Sequence, residues 1–182
     1  MPNRFFLLTA FGKDRPGLVA HVTQLVFRMG GNIEDASMTR LGGEFSMMLV
    51  VGLPSTSSGA RLLKALPSLQ RTLRLALNAK PISRILAHVK HQSQATHLIS
   101  MYGTDRPGIV YKAARALSDR YINITDLNTR ILDRSGKSLY VMLLEVQIPS
   151  RTKAAALRRS LERLGHSLRL DVTLQEIDPV SL

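Results

Sequence analysis

Residues 8–19 read L-T-A-F-G-K-D-R-P-G-L-V, and residues 99–110 read I-S-M-Y-G-T-D-R-P-G-I-V. The two stretches are 91 residues apart in a chain of 182. The match extends outward to Asn32-Ile33 against Asn123-Ile124 and to Asp35 against Asp126. After a small insertion it resumes with Phe45–Pro54 against Leu139–Pro149. Self-similarity at a fixed offset marks a duplicated structural unit, and about 90 residues is an ordinary size for a small domain. We expect one domain over 1–91, a second over 96–182, and a short linker at 91–96.

Both copies follow the same order of elements. Asn3–Phe11 is rich in Phe and Leu and ends at Gly12, the pattern of a strand entering a turn. Pro16 suits the first turn of a helix, and Leu18, Val22, Leu25, Val26 and Met29 continue at helical spacing until Gly30-Gly31 stops them. Asn32–Leu41 and Glu44–Leu53 flank Gly42-Gly43, a pair suited to a tight hairpin. The leucines at 62, 63, 66, 69, 73 and 77 predict a second helix within Ser57–Asn78, with Pro67 as a point where it kinks or breaks. Lys80–Lys90 is expected to be the closing strand, burying Ile82, Ile85, Leu86 and Val89.

The second copy predicts a strand at Thr96–Tyr102, a helix at Pro107–Tyr121, and a hairpin of Asn123–Leu132 with Lys137–Ile148 around Asp133–Gly136. A helix at Arg151–Leu164 and a strand at Ser167–Ile177 complete it, the latter alternating Leu168, Leu170, Val172 and Leu174. Each unit is therefore βαββαβ. The fold class is α+β: two ferredoxin-like units, each an antiparallel sheet with two helices on one face.

The repeated G-x-D-R-P-G loop holds the candidate binding residues. Gly12 and Gly103 let the chain turn sharply and let another group approach the backbone. Asp14 and Asp105 can bond loop amides, and Pro16 and Pro107 preset the helix entry. Gly17 and Gly108 leave the helix start uncovered, so free N–H groups gather at its positive end, a seat for a carboxylate. Arg15 and Arg106 add positive charge. Asn32 and Asn123 begin the second strand at the far end of the same helix, with interdomain or ligand roles open to them. The competing explanation is an efficient strand-to-helix turn, retained because duplicated folds keep their turns.

G-K-D-R-P-G-L-V and G-T-D-R-P-G-I-V resemble the first strand–helix junction of the ACT family, small βαββαβ regulatory domains that bind amino acids. N-I-E-D and N-I-T-D resemble that family's entry to the second strand. The layout is similar to stand-alone tandem ACT regulators, with two units and no attached catalytic domain. The resemblance implies side-by-side pairing of units and an amino-acid effector held by Gly12, Asp14, Gly17, Gly103, Asp105 and Gly108. It also implies a homo-oligomer and a protein partner such as a transcription factor, in the control of amino-acid metabolism.

Composition narrows the remaining classes. Without cysteine there are no disulfides, thiolate metal sites or Cys nucleophiles, which suits a reducing compartment, and a cytoplasmic location is expected. No apolar run approaches the ~20 residues of a membrane span. Met1–Ala10 places Arg4 before an apolar run, but that run is brief, lacks an A-x-A-like site and has an internal copy. His88, His91 and His97 have no Cys or carboxylate nearby, because no acid occurs between Glu44 and Asp105; no metal or cofactor is expected. No H-E-x-x-H, P-loop, G-x-S-x-G or G-x-G-x-x-G pattern occurs, so we expect no enzyme.

The net charge of +12 divides unevenly. Residues 1–91 hold 12 basic and 4 acidic residues (net +8), and residues 92–182 hold 13 and 9 (net +4). Arg61, Lys64, Arg71, Arg74, Lys80, Arg84 and Lys90 fill the acid-free stretch, an alternative nucleic-acid or acidic-protein surface. The third strands, G-E-F-S-M-M-L-V-V and S-L-Y-V-M-L-L-E-V, lack the paired aromatics on which βαββαβ RNA-binding domains stack bases.

Overall fold

The computed structural model describes residues 4–54, 59–87, 95–134, 137–150 and 152–177. The chain divides into two compact units, Met1–Lys90 and His91–Leu182. The first runs β1 (Arg4–Lys13), α1 (Leu18–Arg28), β2 (Asn32–Leu41), β3 (Glu44–Leu53), α2 (Gly59–Leu73), β4 (Ala76–Ile82) and a one-turn helix α3 (Arg84–Ala87). The second runs β5 (His97–Gly103), α4 (Ile109–Ser118), β6 (Asn123–Arg134), β7 (Lys137–Gln147), α5 (Ala154–Leu168) and β8 (Leu170–Glu176). The sheets have the orders β2-β3-β1-β4 and β6-β7-β5-β8. All neighbouring strands are antiparallel. This is the ferredoxin-like arrangement in both units.

Strand alternation explains why the helices share a face. In β1 and β3, Phe6, Leu8, Ala10, Phe45, Met47, Leu49, Val51 and Leu53 point to one side. There they join Leu18, Val22 and Val26 of α1 and Leu62, Leu66 and Leu73 of α2 in one buried cluster. The second unit repeats this with Ile99, Met101, Met142, Leu144 and Val146 against Ile109, Ala113, Leu117, Leu157 and Leu161. Helix α1 ends where Gly30 takes φ +67 and the Gly31 N–H returns to the Val26 carbonyl. Tyr121 holds the matching left-handed position after α4, with the Ile122 N–H on the Leu117 carbonyl.

The closing segment of the first unit differs from its sequence pattern. Helix α2 continues past Pro67 without a break and stops at Leu73, and the strand is Ala76–Ile82 rather than Lys80–Lys90. Arg74 adopts φ +48, which breaks the helix and shifts the leucines from helical to alternating register. Leu75, Leu77 and Ala79 are then buried on alternate positions. Residues 84–87, expected in the strand, form α3 instead. Val89, Lys90 and most of the 91–96 linker lie outside the described residues. In the second unit, Leu168 belongs to the last turn of α5, buried against the core, and the strand starts at Leu170.

Candidate ligand loops

Each loop is held at both ends by backbone geometry. A Cβ on Gly12 would stand 2.8 Å from Leu75 Cδ2 and 3.2 Å from the Arg74 carbonyl oxygen. On Gly103 it would stand 2.7 Å from the Arg169 carbonyl oxygen. The glycines therefore let β1 and β5 run close beneath the chain entering β4 and β8. At the other end, Gly17 and Gly108 cap α1 and α4 at φ +91 and +88, the left-handed region, where a side chain would be strained. Neither cap donates or accepts through a side chain. The first turns of α1 and α4 therefore present N–H groups with no intrahelical partner at the positive end of the helix dipole.

The side chains between these glycines behave differently in the two units. In the first loop the Asp14 N–H donates to the Gly43 carbonyl at 2.9 Å, docking the loop on the β2–β3 turn. Its carboxylate pairs with Arg40 Nε at 2.8 Å. Arg15 donates to the Leu73 and Thr72 carbonyls, closing the C-terminal end of α2. The His21 ring lies 3.4 Å from where a Gly17 Cβ would be, its Nδ1 2.6 Å from the Gly17 carbonyl oxygen. In the second loop Asp105 and Arg106 form no ion pair or side-chain hydrogen bond among the described residues. The space around Gly108 is open for 4 Å.

A tyrosine distinguishes the second loop further. Gly103 faces Tyr140 across the β5–β7 ladder, as Gly12 faces Phe45 across β1–β3. Phe45 is 2% exposed and apolar throughout. Tyr140 is 7% exposed, and its hydroxyl is buried. Burial pushes its phenol above the ordinary value and the Asp105 charge adds to this, while a hydrogen bond with the Thr129 side chain acts in the opposite direction. The folded phenol therefore keeps its proton to higher pH than the unfolded one. The linked stability is present below about pH 10 and is lost as pH climbs through the folded value. Urea titrations between about pH 9 and 11 are expected to show wild type losing stability more steeply than Tyr140→Phe. Parallel curves would contradict this.

A family model described as the ACT domain matches residues 4–80 and, a second time, residues 95–175. The chain belongs to the ACT-domain family. It is 25% identical over 173 residues to the glycine cleavage system transcriptional repressor of Escherichia coli (strain K12), covering 95% of this chain and 88% of that one. A crystal structure of an unknown protein from Galdieria sulphuraria superposes with a TM-score of 0.79 at 25% identity, over 97% of this chain and all of that one. A second crystal structure, provisionally assigned as a glycine cleavage system transcriptional repressor, shares the fold (TM-score 0.70, 23% identity, 98% and 99% coverage). The tandem arrangement is thus that of a regulatory protein, with an ACT unit in each half.

The other candidate residues fall away from the ACT loops. Asn32 lies opposite Gly52, whereas Gly12 lies opposite Phe45, seven residues away along β3. Asn123 and Gly103 have the same separation along β7, opposite Gln147 and Tyr140. At that far end Asn123 lines a cleft of about 570 Å³ with Thr96, Tyr121, Gln147 and Glu176. The basic stretch does not form one surface. Arg61, Lys64 and Arg71 are exposed on α2, but Lys80 is register partner to Leu7, on the sheet face away from that helix. Lys90, His88 and His91 lie outside the described residues. His97 Nδ1 lies 2.9 Å from the Thr96 hydroxyl. Among the described residues no cluster of His and acidic side chains could hold a metal ion, and no helix is long and apolar enough to cross a membrane.

Arg40 was not a sequence candidate. It sits near the end of β2 with nothing local to mark it, and only the hairpin brings it to Asp14. Nothing local marks Tyr140 either, and only the strand register places it opposite Gly103.

Proposed function

We propose that this protein is a non-enzymatic regulator that senses a free amino acid through an ACT strand–helix loop and conveys the bound state to a protein partner, in transcriptional control of amino-acid metabolism. The single observation that carries this reading is the uncapped helix start after a glycine-bounded loop, set in a chain with ACT units in both halves. Such a start offers N–H groups and a helix dipole to a carboxylate, and an adjacent aspartate can take the ammonium. Similarity to a transcriptional repressor over nearly the whole chain supports the regulatory role. Binding would bias how the units or chains pack, and a partner such as a transcription factor would read that bias. A homo-oligomer in the cytoplasm is the setting this reading implies.

Thermal-shift measurements with each of the twenty proteinogenic amino acids test the sensing step. At a ligand concentration near 100 Kd, mass action stabilises the bound unit by about 2.7 kcal/mol. For a unit of this size that is a rise of roughly 10–20 °C. One amino acid, or a small chemically related group, is expected to give it. No movement with any of the twenty, combined with tight, salt-sensitive binding to generic RNA or DNA, would favour the basic-surface reading instead.

A further inference from the structure

We infer that the outer face of α2, with Arg61, Lys64 and Arg71 set around the exposed Leu63 and Pro67, docks an acidic, leucine-bearing segment of a partner protein. The inference rests on the partner half of the reading above, and gives that partner a surface and a chemistry.

Helix α2 buries Leu62, Leu66 and Leu73. At 3.6 residues per turn, Lys64, Pro67 and Arg71 form the row furthest from the core, with Arg61 on one side of it and Leu63 on the other. All five are exposed. From Arg61 to Arg71 the face runs about 15 Å along the helix axis. No acid lies on this helix, or anywhere between Glu44 and Asp105. The four acids of residues 1–91 are elsewhere. Asp14 is paired with Arg40, Glu44 opens β3, and Glu34 and Asp35 lie on β2, the sheet edge opposite β4. Gln70 ties α2 to the β4 side by donating to the Leu77 carbonyl at 3.2 Å. Arg61, Lys64 and Arg71 accordingly form no ion pair among the described residues.

Two features separate this face from an ordinary solvated one. Arg61 stands in the first turn of α2, where the helix dipole disfavours positive charge, and Lys64 repels it from one turn on. The helix itself gains nothing from either. The second unit supplies the comparison. Helix α5 buries Leu157, Leu161 and Leu168 as α2 buries its leucines, and Arg169 takes the left-handed position of Arg74. This match sets Glu162 in place of Pro67, within one turn of Arg159 and His166, so that face carries an acid among its cations. It sets Arg158 in place of Leu63, donating to the Leu174 carbonyl. Only α2 keeps its cations uncompensated around an exposed leucine.

The same side chains select the partner's chemistry. A phosphate backbone needs the charges alone, and the polar groups that could read base edges are turned inward, Gln70 onto the Leu77 carbonyl and Thr72 onto the Ser68 carbonyl. Leu63, 46% exposed beside Lys64, matches instead a protein segment that sets leucine-like residues between acids. Arg15 of the first loop donates to the Leu73 carbonyl, so a partner on α2 meets the helix end that the loop holds.

Fluorescence anisotropy of the full chain tests this with two labelled probes, a synthetic amphipathic helix of Glu and Leu and a short generic DNA duplex. The peptide is expected to bind, and Lys64→Gln with Arg71→Gln to weaken it roughly five- to twentyfold. Leu63→Ala is expected to weaken the peptide about two- to fivefold and to leave duplex binding unchanged. The charge-matched pair Arg159→Gln with Arg163→Gln, on α5, is expected to change peptide affinity less than about twofold. The substituted side chains are all exposed, and circular dichroism and melting check that each variant folds. Equal weakening by the two double variants would show that net charge alone attracts the peptide. A duplex held more tightly than the peptide by the same α2 residues would make the partner a nucleic acid. Either result overturns the inference, as does a peptide that does not bind, and none of them touches amino-acid sensing, which the thermal shifts read. No thermal response to any amino acid, with α2-dependent peptide binding retained, would remove the sensing step and leave the docking surface standing.

Discussion

Replacing Leu144 with alanine is expected to melt the second ACT unit about 10–25 °C earlier and leave the first unit where it is. Leu144 lies fully buried in the middle of β7, opposite Ile99 on one side and Leu127 on the other. Truncation leaves a cavity that a sheet held on both sides closes poorly, so the loss belongs in the usual range of about 2–5 kcal/mol. The buried cluster that loses it contains residues of the second unit alone. Leu49 occupies the matching place in the first unit, opposite Leu8 and Ala36. Leu49→Ala is the mirror experiment and is expected to lower only the first unit's transition. Amide NMR signals followed through the melt assign each transition to a half of the chain. Concerted loss of both halves in either variant would show that the two cores unfold as one.

Gly103→Ala is expected to destabilise the second unit by about 1–3 kcal/mol, and Gly12→Ala the first unit by less. The new methyl at 103 would meet the backbone oxygen of Arg169 at 2.7 Å, and that oxygen moves only if the junction between α5 and β8 moves. At 12 the nearest atom is the tip of the Leu75 side chain at 2.8 Å, which can rotate away, and the backbone oxygen is more distant at 3.2 Å. Urea midpoints read the difference. Equal costs would mean that the Arg169 carbonyl is not held as rigidly as its position implies. Because Gly103 opens one of the candidate ligand loops, the same variant is expected to weaken any amino acid bound there.

Much of this architecture was readable from one line of sequence. The duplication at an offset of 91 placed every element of the second unit beside its counterpart in the first. The glycines, prolines and alternating apolar positions are local signals that need no partner to be understood. The closing strand of the first unit was misread for an equally local reason. Leu69, Leu73 and Leu77 fall at helical spacing, while Leu75, Leu77 and Ala79 fall at strand spacing, so both patterns share Leu77. The left-handed turn at Arg74 decides between them, and no local preference announces it, since a non-glycine residue rarely adopts that conformation. Pro67 sits on the exposed face of α2, and the helix passes through it, its packed leucines outweighing one lost hydrogen bond.

The candidate loops divide along the same line. Their existence, their bounding glycines and their uncapped helix starts follow from the sequence, because a left-handed cap is a property of the residue that occupies it. The state of each loop does not follow from it. G-K-D-R-P-G and G-T-D-R-P-G differ at one position, yet in the first Asp14 pairs with Arg40, Arg15 reaches the end of α2 and His21 lies at the Gly17 carbonyl, while in the second Asp105 has no ion pair among the described residues. Those partners come from other strands and helices, 26 residues along the chain for Arg40 and 58 for Leu73. The sequence by itself determined two ACT units with matching backbones. Only the tertiary structure decided which side chains meet each loop, because side-chain pairing depends on what the fold carries to within a few ångströms, and separation along the chain does not encode that distance.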